Sequence, residues 1–555
     1  MTPCHRRFRL ARWAVLALVG SGLLAVPAGG VPKERPVIGN ALSAHLSQVV
    51  TARFWAAHPE AAPPQVAERL AQAQERSAAL QGGRGPSGRR FNDDVFGLPQ
   101  NEESITACRE RVSVVLGGTN DFRGLLDSEQ NFTGWHFSTN GGRSLANEGL
   151  LPSADGLPSG GDPVDVAGTG CEFLYAGSLA YDPETVPFGA NGIAAYRTTP
   201  GILATCPGGA DPSCWPVRRL VAEGAPGHFL DKEWLHVGRQ AGTEFVWLTY
   251  SDFVVDETSP IGFTSAEIFA VRCTADLASC TAPIPISEDD LDVQFSDVTI
   301  AEDGRAYITW SEIIGELPDD PDCPPEGCEG QTFVHKLRVE TAPGSATFGP
   351  ERVVFVEEKP IPFGGFLQAN DFRVATYPKS EVASVGGHSR VLVVWDACKF
   401  RPLPTVCEDA LIKLSWSDDE GATWTDPIVI SKGGVNYFPT ITNDRRHDRL
   451  SIAWFTNRFD QAFDNRQDVV LTSMRASNPG PSGLRRLTSP SNESEADPLL
   501  GGFFIGDYIE AFAHANHVWV HYNANYRKTV LLGPLGAEGT PVNQQDNFLA
   551  RTRAG

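Results

Sequence analysis

A strand pattern recurs seven times along this chain, and that repetition restricts the possible folds more than any other feature. Each copy is a short alternating apolar strand, usually ending near an aromatic residue and followed by polar residues. The copies read VSVVLGGTND, EFLYAGSLAYD, EFVWLTYSD, RAYITWSE, RVLVVWDA, RLSIAWFTN and HVWVHYNAN. Polar or acidic lead-ins precede them at intervals of about 60 to 77 residues, which leaves room for four strands per unit. We therefore predict an all-β propeller, seven-bladed, or six-bladed if one unit is an insertion.

Two turns share a second pattern. SWSDDEGATWTDP lies between the strand-like runs ALIKLSW and DPIVIS, and STNGGRSL at 138–145 matches it at five positions, namely Ser138, Asn140, Gly142, Ser144 and Leu145. In the turn at 417–424 Asp419 can accept hydrogen bonds from the backbone that follows it, Gly421 can adopt a positive φ, and Trp424 can pack back onto the hairpin. Such a turn stabilises an outer hairpin and by itself says little about function.

The cysteines indicate disulfide bonds. Ten remain after Cys4, and eight of them form pairs close in sequence. An even number of cysteines with local spacing, and without histidines at zinc-site spacing, favours an oxidising compartment. The predicted disulfides are Cys108–Cys171, Cys206–Cys214, Cys273–Cys280, Cys323–Cys328 and Cys398–Cys407. Cys273 and Cys280 align with Ser417 and Trp424, so their bond would close a hairpin that lacks the turn motif.

Three regions are predicted along the chain. Residues 1–28 combine arginines, an apolar run and small residues, as a secretory signal peptide does. Residues 29–99 contain helically spaced apolar residues followed by a linker, and residues 100–555 form the propeller. The formal net charge of −22 disfavours a nucleic-acid partner. No later stretch is long and apolar enough to span a membrane, so we expect a secreted or periplasmic protein. We also expect a monomer.

The lead-ins should meet around the propeller axis, because each begins the innermost strand of a blade. Their polar residues are the candidates for a site, and they are Asp162, Asp231, Lys232, Glu233, Gln294, Asp297, Arg373, Asp507 and Tyr508. Carboxyls beside an arginine and a tyrosine could perform acid–base chemistry, bind calcium through oxygen ligands, or simply hold strand ends. Trp310, Trp395, Trp454 and Tyr522 repeat blade by blade and are predicted to form the core between blades.

The turn motif, S-x-D/N-x-G-x-S/T-W/L, and the phrases DKEWL, QFSDV, FFIGDY and DNFLARTR resemble secreted bacterial proteins of the sialidase superfamily with Asp-box repeats. The resemblance covers residues from about 100 to the C-terminus. It implies a glycan-acting hydrolase without a required cofactor, although calcium is possible. A non-catalytic propeller that binds a glycan, a protein or calcium is the alternative, and a polysaccharide lyase with a His or Tyr base is a third.

The resemblance also suggests roles for individual residues. Sialidases hold the substrate carboxylate with three arginines, and use an aspartate as acid/base and a tyrosine paired with a glutamate as nucleophile. Arg373, supported by Lys232 and Asp507, is the predicted substrate-binding residue, and Asp231 or Asp297 is the predicted acid/base. Tyr508 with Asp507 or Glu233 is the predicted nucleophilic couple. Arg123 offers a second Phe-Arg pair, but the inner strands supply no full set of three arginines.

Overall fold

The computed structural model describes residue 50 and residues 90–94, 96–256, 258–259, 262–288, 292–314, 330–360, 374, 376–398, 410–460, 466–480, 482–488, 491–492, 500, 504–531 and 540–554. The predicted signal peptide lies outside these residues. So does the predicted helical extension, apart from residue 50 and the segment that begins at residue 90. The described residues form seven antiparallel sheets arranged as the blades of a β-propeller, which confirms the predicted fold.

Blades 1 to 4 follow one another along the chain, each with four strands. Blade 1 comprises β1 (Gln100–Ala107), β2 (Val115–Asp121), β3 (Thr133–Ser138) and β4 (Asn147–Leu150). Blade 2 comprises β5 (Val164–Ala167), β6 (Leu174–Tyr181), β7 (Asn191–Thr198) and β8 (Val217–Glu223). Blade 3 comprises β9 (His228–Gln240), β10 (Thr243–Val255), β11 (Phe263–Thr274) and β12 (Ile284–Pro285). Blade 4 comprises β13 (Val293–Ile300), β14 (Ala306–Ile314), β15 (Gly330–Val339) and β16 (Arg352–Pro360).

The remaining three blades complete the ring. Blade 5 comprises β17 (Lys379–Val385), β18 (His388–Cys398), β19 (Ala410–Ser417) and β20 (Ile428–Val429). Blade 6 comprises β21 (Asn436–Asp444), β22 (Arg449–Thr456), β23 (Asp468–Met474) and β24 (Leu484–Arg486), and blade 7 comprises β25 (Glu510–His514), β26 (His517–Leu531) and β27 (Thr540–Arg553). The helices among the described elements are a 3₁₀ turn at Phe122–Leu126 and α1 (Pro200–Leu203).

Blade 7 is completed by a segment from the other end of the propeller. Arg90 forms an isolated antiparallel bridge with Phe548 on β27, and the backbone N–H of Phe91 donates to the carbonyl of Asn547 at 3.2 Å. The chain that precedes blade 1 thus caps the outer edge of blade 7. This pairing protects an edge strand that would otherwise be exposed.

The core lies between the blades. The second strands of blades 3 to 7 each carry a tryptophan that is fully buried, and these residues are Trp247, Trp310, Trp395, Trp454 and Trp519. Tyr522 is also buried, at 3 % exposure. Because a large aromatic side chain removes much apolar surface from water, these five tryptophans stabilise the packing of the blades. The predicted role of these aromatic residues as inter-blade core is therefore confirmed.

The two matching turns have the same hydrogen bonds. In the second turn, Asp419 accepts from the backbone N–H and the hydroxyl of Thr423 at 2.8 and 2.7 Å, and Ser417 Oγ accepts from the N–H of Gly421 at 2.8 Å. In the first turn, Asn140 accepts from the N–H of Ser144 at 3.0 Å. The sequence pattern therefore corresponds to one local structure, used on the outer hairpins of blades 1 and 5.

Gly421 should tolerate substitution poorly. Its φ is +82°, and a Cβ there would lie 2.6 Å from Leu337 Cδ2 on the neighbouring blade. Gly387 is the matched control, because its φ is +86° but a Cβ there would meet no atom within 4 Å. We expect both alanine variants to lose about 1–2 kcal/mol from backbone strain. Gly421→Ala should lose about 1–3 kcal/mol more from overpacking, measured by chemical unfolding. Equal losses in the two variants would contradict the predicted clash.

Three of the five predicted disulfides are present, namely Cys108–Cys171, Cys206–Cys214 and Cys273–Cys280. Cys273 and Cys280 also pair as an antiparallel bridge, so their bond closes the outer hairpin of blade 3 as predicted. The side chains of the other two predicted pairs lie outside the described residues. Formed disulfides are consistent with an oxidising compartment.

Candidate functional site

The inner strands share an unusual backbone feature. In six of the seven blades a residue in the first half of the inner strand or shortly before the strand has a positive φ, and these residues are Glu102, Asp162, Lys232, Phe295, Phe438 and Gly506. The β1, β9, β13 and β21 ladders each shift register at this position, as at a β-bulge. A left-handed residue other than glycine costs about 1–3 kcal/mol and is often found at functional sites.

Three of these left-handed residues are charged, and they meet near the axis. Lys232 Nζ lies 3.2 Å from Asp162 Oδ2 and 3.1 Å from Asp507 Oδ2, and all three side chains are at most 1 % exposed. Glu102 accepts a hydrogen bond from the backbone N–H of Asp507 at 3.0 Å. We call these four residues, from blades 1, 2, 3 and 7, the axial ion cluster. The inner strands of four blades and the residues just before them thus bring together acidic and basic groups that are distant in sequence.

The axial ion cluster contains one cation among several carboxyls. Burial alone would lower the pKa of Lys232, but the carboxylates of Asp162, Asp231 and Asp507 outweigh it and raise the pKa well above its ordinary value. Burial, together with the charge of Asp162, raises the pKa of Glu102 well above its ordinary value. The surroundings therefore favour the charged form of Lys232 and the protonated form of Glu102.

The other predicted residues of blades 3 and 7 lie in the same buried layer. Asp231 accepts from the backbone N–H of Lys232 at 2.9 Å, and it is fully buried. Glu233 is 3 % exposed, and burial raises its pKa well above the ordinary value. Tyr508 donates its hydroxyl hydrogen to the carbonyl of Pro163 at 3.0 Å, and burial followed by the charge of Glu102 raises its pKa. Tyr508 is thus a protonated donor in this structure, and its nucleophilic role stays a prediction.

Of the two predicted arginines, Arg123 lies among the described residues, and it is outside this layer. Arg373 lies outside the described residues, so its substrate-binding role stays a prediction. Arg123 follows β2 and is paired with Asp121 and Glu148, with Nη1 2.8 Å from Glu148 Oε1. Its charge is therefore already neutralised by protein carboxylates.

A cavity of about 330 Å³ lies on the axis and is lined by all seven inner strands. At its rim Arg446 and Glu110 are 57 % and 62 % exposed, which places the mouth of the cavity at the solvent. Among the predicted catalytic residues, Asp297 lines this axial cavity. Asp231, Glu233 and Tyr508 do not, so the structure separates Asp297 from the other predicted residues.

Asp165, Asp297 and Glu510 supply carboxyls to the deep part of the axial cavity. Asp165 accepts from Ser104 Oγ at 2.8 Å, and burial raises its pKa to about 7. Glu510 accepts from a backbone N–H at 2.7 Å, and burial raises its pKa to about 8. Asp297 accepts from both the N–H and the hydroxyl of Ser380, at 2.6 and 2.7 Å. Three carboxyls in one cavity therefore differ in how readily they hold a proton.

Lys379 completes this group. Its ammonium nitrogen lies 2.8 Å from the centroid of the Trp234 ring and has no hydrogen-bond partner among the described residues. Burial lowers its pKa to about 8, while the carboxylates of Asp297 and Glu510 oppose that change. A lysine and a glutamic acid that both titrate near neutral pH can exchange protons with a bound molecule.

Sequence reasoning did not single out Asp165, Lys379 and Glu510. A usable signal was present, because Asp165 and Glu510 each follow a predicted residue, Asp162 and Asp507, by three positions in GDPVD and GDYIE. In both segments the first acid precedes the inner strand and belongs to the axial ion cluster, whereas the second lies on the strand and lines the axial cavity.

A metal centre has no support in the described part of the chain, where no group of three or more His, Cys, Asp or Glu residues is placed to hold an ion. The calcium site that the sequence left open stays a prediction. None of the described helices has the length and apolar character needed to cross a membrane.

Comparison with known proteins leaves the family open. No family model matches the chain, and no curated protein matches it. Similar solved structures include the Hadza microbial sialidase Hz136, with a TM-score of 0.37, 12% identity and coverage of 65% of this chain and 63% of that one. A GH93 α-L-arabinofuranosidase of Fusarium graminearum with arabinobiose has a TM-score of 0.41, 12% identity and coverage of 71% and 99%. The phage phi92 endosialidase has a TM-score of 0.40, 10% identity and coverage of 85% and 68%.

Proposed function

We propose that this protein is a secreted glycan-acting hydrolase and that its reaction takes place in the axial cavity. The observation that carries the proposal is the meeting of Glu510, Asp165 and Asp297 in one open cavity. Such a cavity, with convergent groups of shifted pKa, is the expected setting for acid–base chemistry. Secretion is supported by the three disulfides and by the signal-like N-terminal sequence.

The cavity carboxyls can supply the proton donor and the base or nucleophile that hydrolysis requires. Glu510, with a pKa of about 8, holds its proton at neutral pH and can donate it to the oxygen of the leaving group. Burial raises the pKa of Asp297, while the charge of Lys379 and two hydrogen bonds from Ser380 oppose that change. In its ionised form this carboxylate can take a proton from the attacking water, or attack the anomeric carbon itself before water releases the sugar. One water is consumed for each glycosidic bond broken.

The glycan assignment depends on the sequence resemblance, because the geometry alone indicates acid–base chemistry without naming the bond. The two matching turns on blades 1 and 5 and the propeller fold itself are the structural features that agree with a sialidase-like propeller, although sialidases proper have six blades. We propose that these turns are Asp-box repeats.

Replacing Asp297 by asparagine or Glu510 by glutamine should reduce turnover by about 10²–10⁴-fold, because each change removes a group that moves a proton. Asp292→Asn is the matched control. Asp292 is also buried, with a pKa raised to about 7 by burial, but it does not line the axial cavity. Turnover of sialosides, aryl glycosides and uronic-acid polysaccharides by the full-length protein and the three variants is the measurement.

The outcomes separate the proposed function from its alternatives. Turnover that survives in both Asp297→Asn and Glu510→Gln would place the reaction elsewhere. Binding of a glycan without turnover in the wild type would favour the non-catalytic propeller.

A polysaccharide lyase is the second candidate, and His236 is the observation that favours it. His236 lines the cavity, and its Nδ1 lies 2.9 Å from the carbonyl of Val237, so Nδ1 carries the hydrogen and Nε2 keeps its lone pair. Burial, with the charges of Arg445 and Arg109, lowers its pKa to about 3. A neutral histidine beside arginines could remove a proton next to a sugar carboxylate. An unsaturated sugar among the products, lost in His236→Gln, would support this reaction over hydrolysis.

A further inference from the structure

The mouth of the axial cavity carries an arginine without a partner. Arg109 follows β1 and lines the cavity, and its guanidinium lies over the Phe512 ring at 5.1 Å from the centroid. It forms no side-chain hydrogen bond or ion pair with any described residue. A guanidinium with five N–H donors in a half-buried position normally has carboxylate or carbonyl partners. Arg109 therefore has donors available to a ligand.

A second arginine lies beside it. Arg445 comes from the loop after β21, lines the same mouth, and donates from Nη2 to the carbonyl of Ile300 at 2.9 Å. Its Nε is buried and has no hydrogen-bond partner among the described atoms. The charges of Arg109 and Arg445 repel each other, and this repulsion adds to burial in lowering the pKa of Arg109 to about 10.

The carboxylates near these arginines are already bonded to other groups. Glu381 lies 3.7 Å from Arg445, but its two oxygens accept from the backbone N–H groups of Val382 and Asn443 at 3.0 and 3.2 Å. Asp444 accepts from the backbone N–H of Asn516 and pairs with His447 at 2.8 Å. The charges of Glu381 and Asp444 partly offset those of the two arginines, but the oxygens of these carboxylates accept from other donors, so the Arg109 N–H groups have no side-chain acceptor among the described residues.

We propose that Arg109 and Arg445 form a binding site for an oxyanion, that is, a carboxylate, sulfate or phosphate group, at the mouth of the axial cavity. Planar guanidinium groups bind such anions through paired, charge-assisted hydrogen bonds. A bound anion would relieve the repulsion between the two arginines and occupy the vacant donors. This site goes beyond the proposed function, because it requires no reaction in the cavity.

The test is anion binding by the full-length protein in the absence of any glycan that is cleaved. Titrations with sulfate and with phosphate, against chloride at the same ionic strength, should raise the melting temperature of the wild type and give a saturable calorimetric signal. Arg109→Ala should weaken this binding by about 10- to 100-fold, since hydrogen bonds to charged groups contribute about that much. Arg109→Gln serves as the second variant and should weaken it similarly while keeping the side-chain stem.

Arg143→Ala is the control, because it removes one positive charge from an exposed turn of blade 1 and should leave binding unchanged. Glucuronate and a sulfated monosaccharide, compared with glucose, separate a sugar-borne anion from an inorganic one. The site is supported if inorganic or sugar-borne anions raise the melting temperature of the wild type and this rise is lost in the Arg109 variants. A wild type that responds to none of these anions, or an Arg109 variant that binds as tightly as Arg143→Ala, would overturn it.

Discussion

Replacing Lys232 by methionine should lower the free energy of unfolding by about 3–5 kcal/mol at pH 7, as is usual when one partner of a buried ion pair is removed. Asp162 and Asp507 both lie within 3.2 Å of the Lys232 ammonium, and all three side chains are at most 1 % exposed. Without the lysine, two carboxyls remain in a dry environment with no cation between them. Chemical unfolding followed by tryptophan fluorescence is the measurement.

Lys336→Met is the matched control for this prediction. Lys336 also lies between two carboxylates, at 2.9 Å from both Glu312 and Glu351, but those partners are 21 % and 14 % exposed. Water can solvate the carboxylates left behind, so the expected loss is about 1 kcal/mol. Adding Asp507→Asn to Lys232→Met should restore part of the lost stability, because it removes one of the unpaired charges. If both lysine variants lost the same free energy of unfolding, burial of the axial ion cluster would not be what makes Lys232 important for stability.

Glu510 should make the protein less stable as the pH rises towards 8. Burial raises its pKa from an ordinary value of 4.5 to about 8, so the folded protein binds this proton more tightly than the unfolded chain does. Stability is therefore greatest below the unfolded pKa and falls until the pH passes the folded pKa. One such group contributes about 1.4 kcal/mol per pH unit, or about 4 kcal/mol between pH 5 and pH 8.

Glu510→Gln should remove that contribution. Its free energy of unfolding, relative to the wild type, should rise by about 4 kcal/mol over the same pH range. Lys379, with a pKa lowered to about 8, has the opposite sign and contributes stability only as the pH rises above that value. Asp165 and Asp292, with pKa values raised to about 7, are present in both proteins, so the difference between wild type and variant reports on Glu510. Glu172→Gln, at an exposed position, should change the profile by less than about 0.5 kcal/mol. Parallel profiles for wild type and Glu510→Gln would contradict a proton held by Glu510.

Several features were predictable because they depend on contacts that are local or repeated. The seven strand patterns correspond to the seven blades, and the tryptophans near the ends of second strands, such as Trp310 and Trp454, are the core between them. The Asp419 turn and the Cys273–Cys280 hairpin are closed by residues within ten positions of each other. Such short-range patterns determine their own structure wherever the chain places them.

The division of the acids between two layers was not predictable from the sequence. Asp162 and Asp165 stand three residues apart, yet the first pairs with Lys232 and the second lines the axial cavity. Asp162 precedes β5 with a positive φ and Asp165 lies on the strand, so the direction of each side chain depends on where the strand begins and on its register with the neighbouring strand. The shifted pKa values of Glu510 and Lys379 likewise depend on burial by the whole ring.

The sequence by itself thus determined an all-β propeller of seven blades, with outer hairpins closed by turn motifs or disulfides and with polar residues at the ends of the inner strands. Those features follow from side-chain alternation and turn chemistry. Only the tertiary structure decided which polar groups meet. Closing the ring brings Arg109 of blade 1 beside Arg445 of blade 6, and Lys232 of blade 3 between acids of blades 2 and 7. These encounters join residues far apart along the chain, and no local pattern records them, since they depend on the ring geometry and the register of every inner strand.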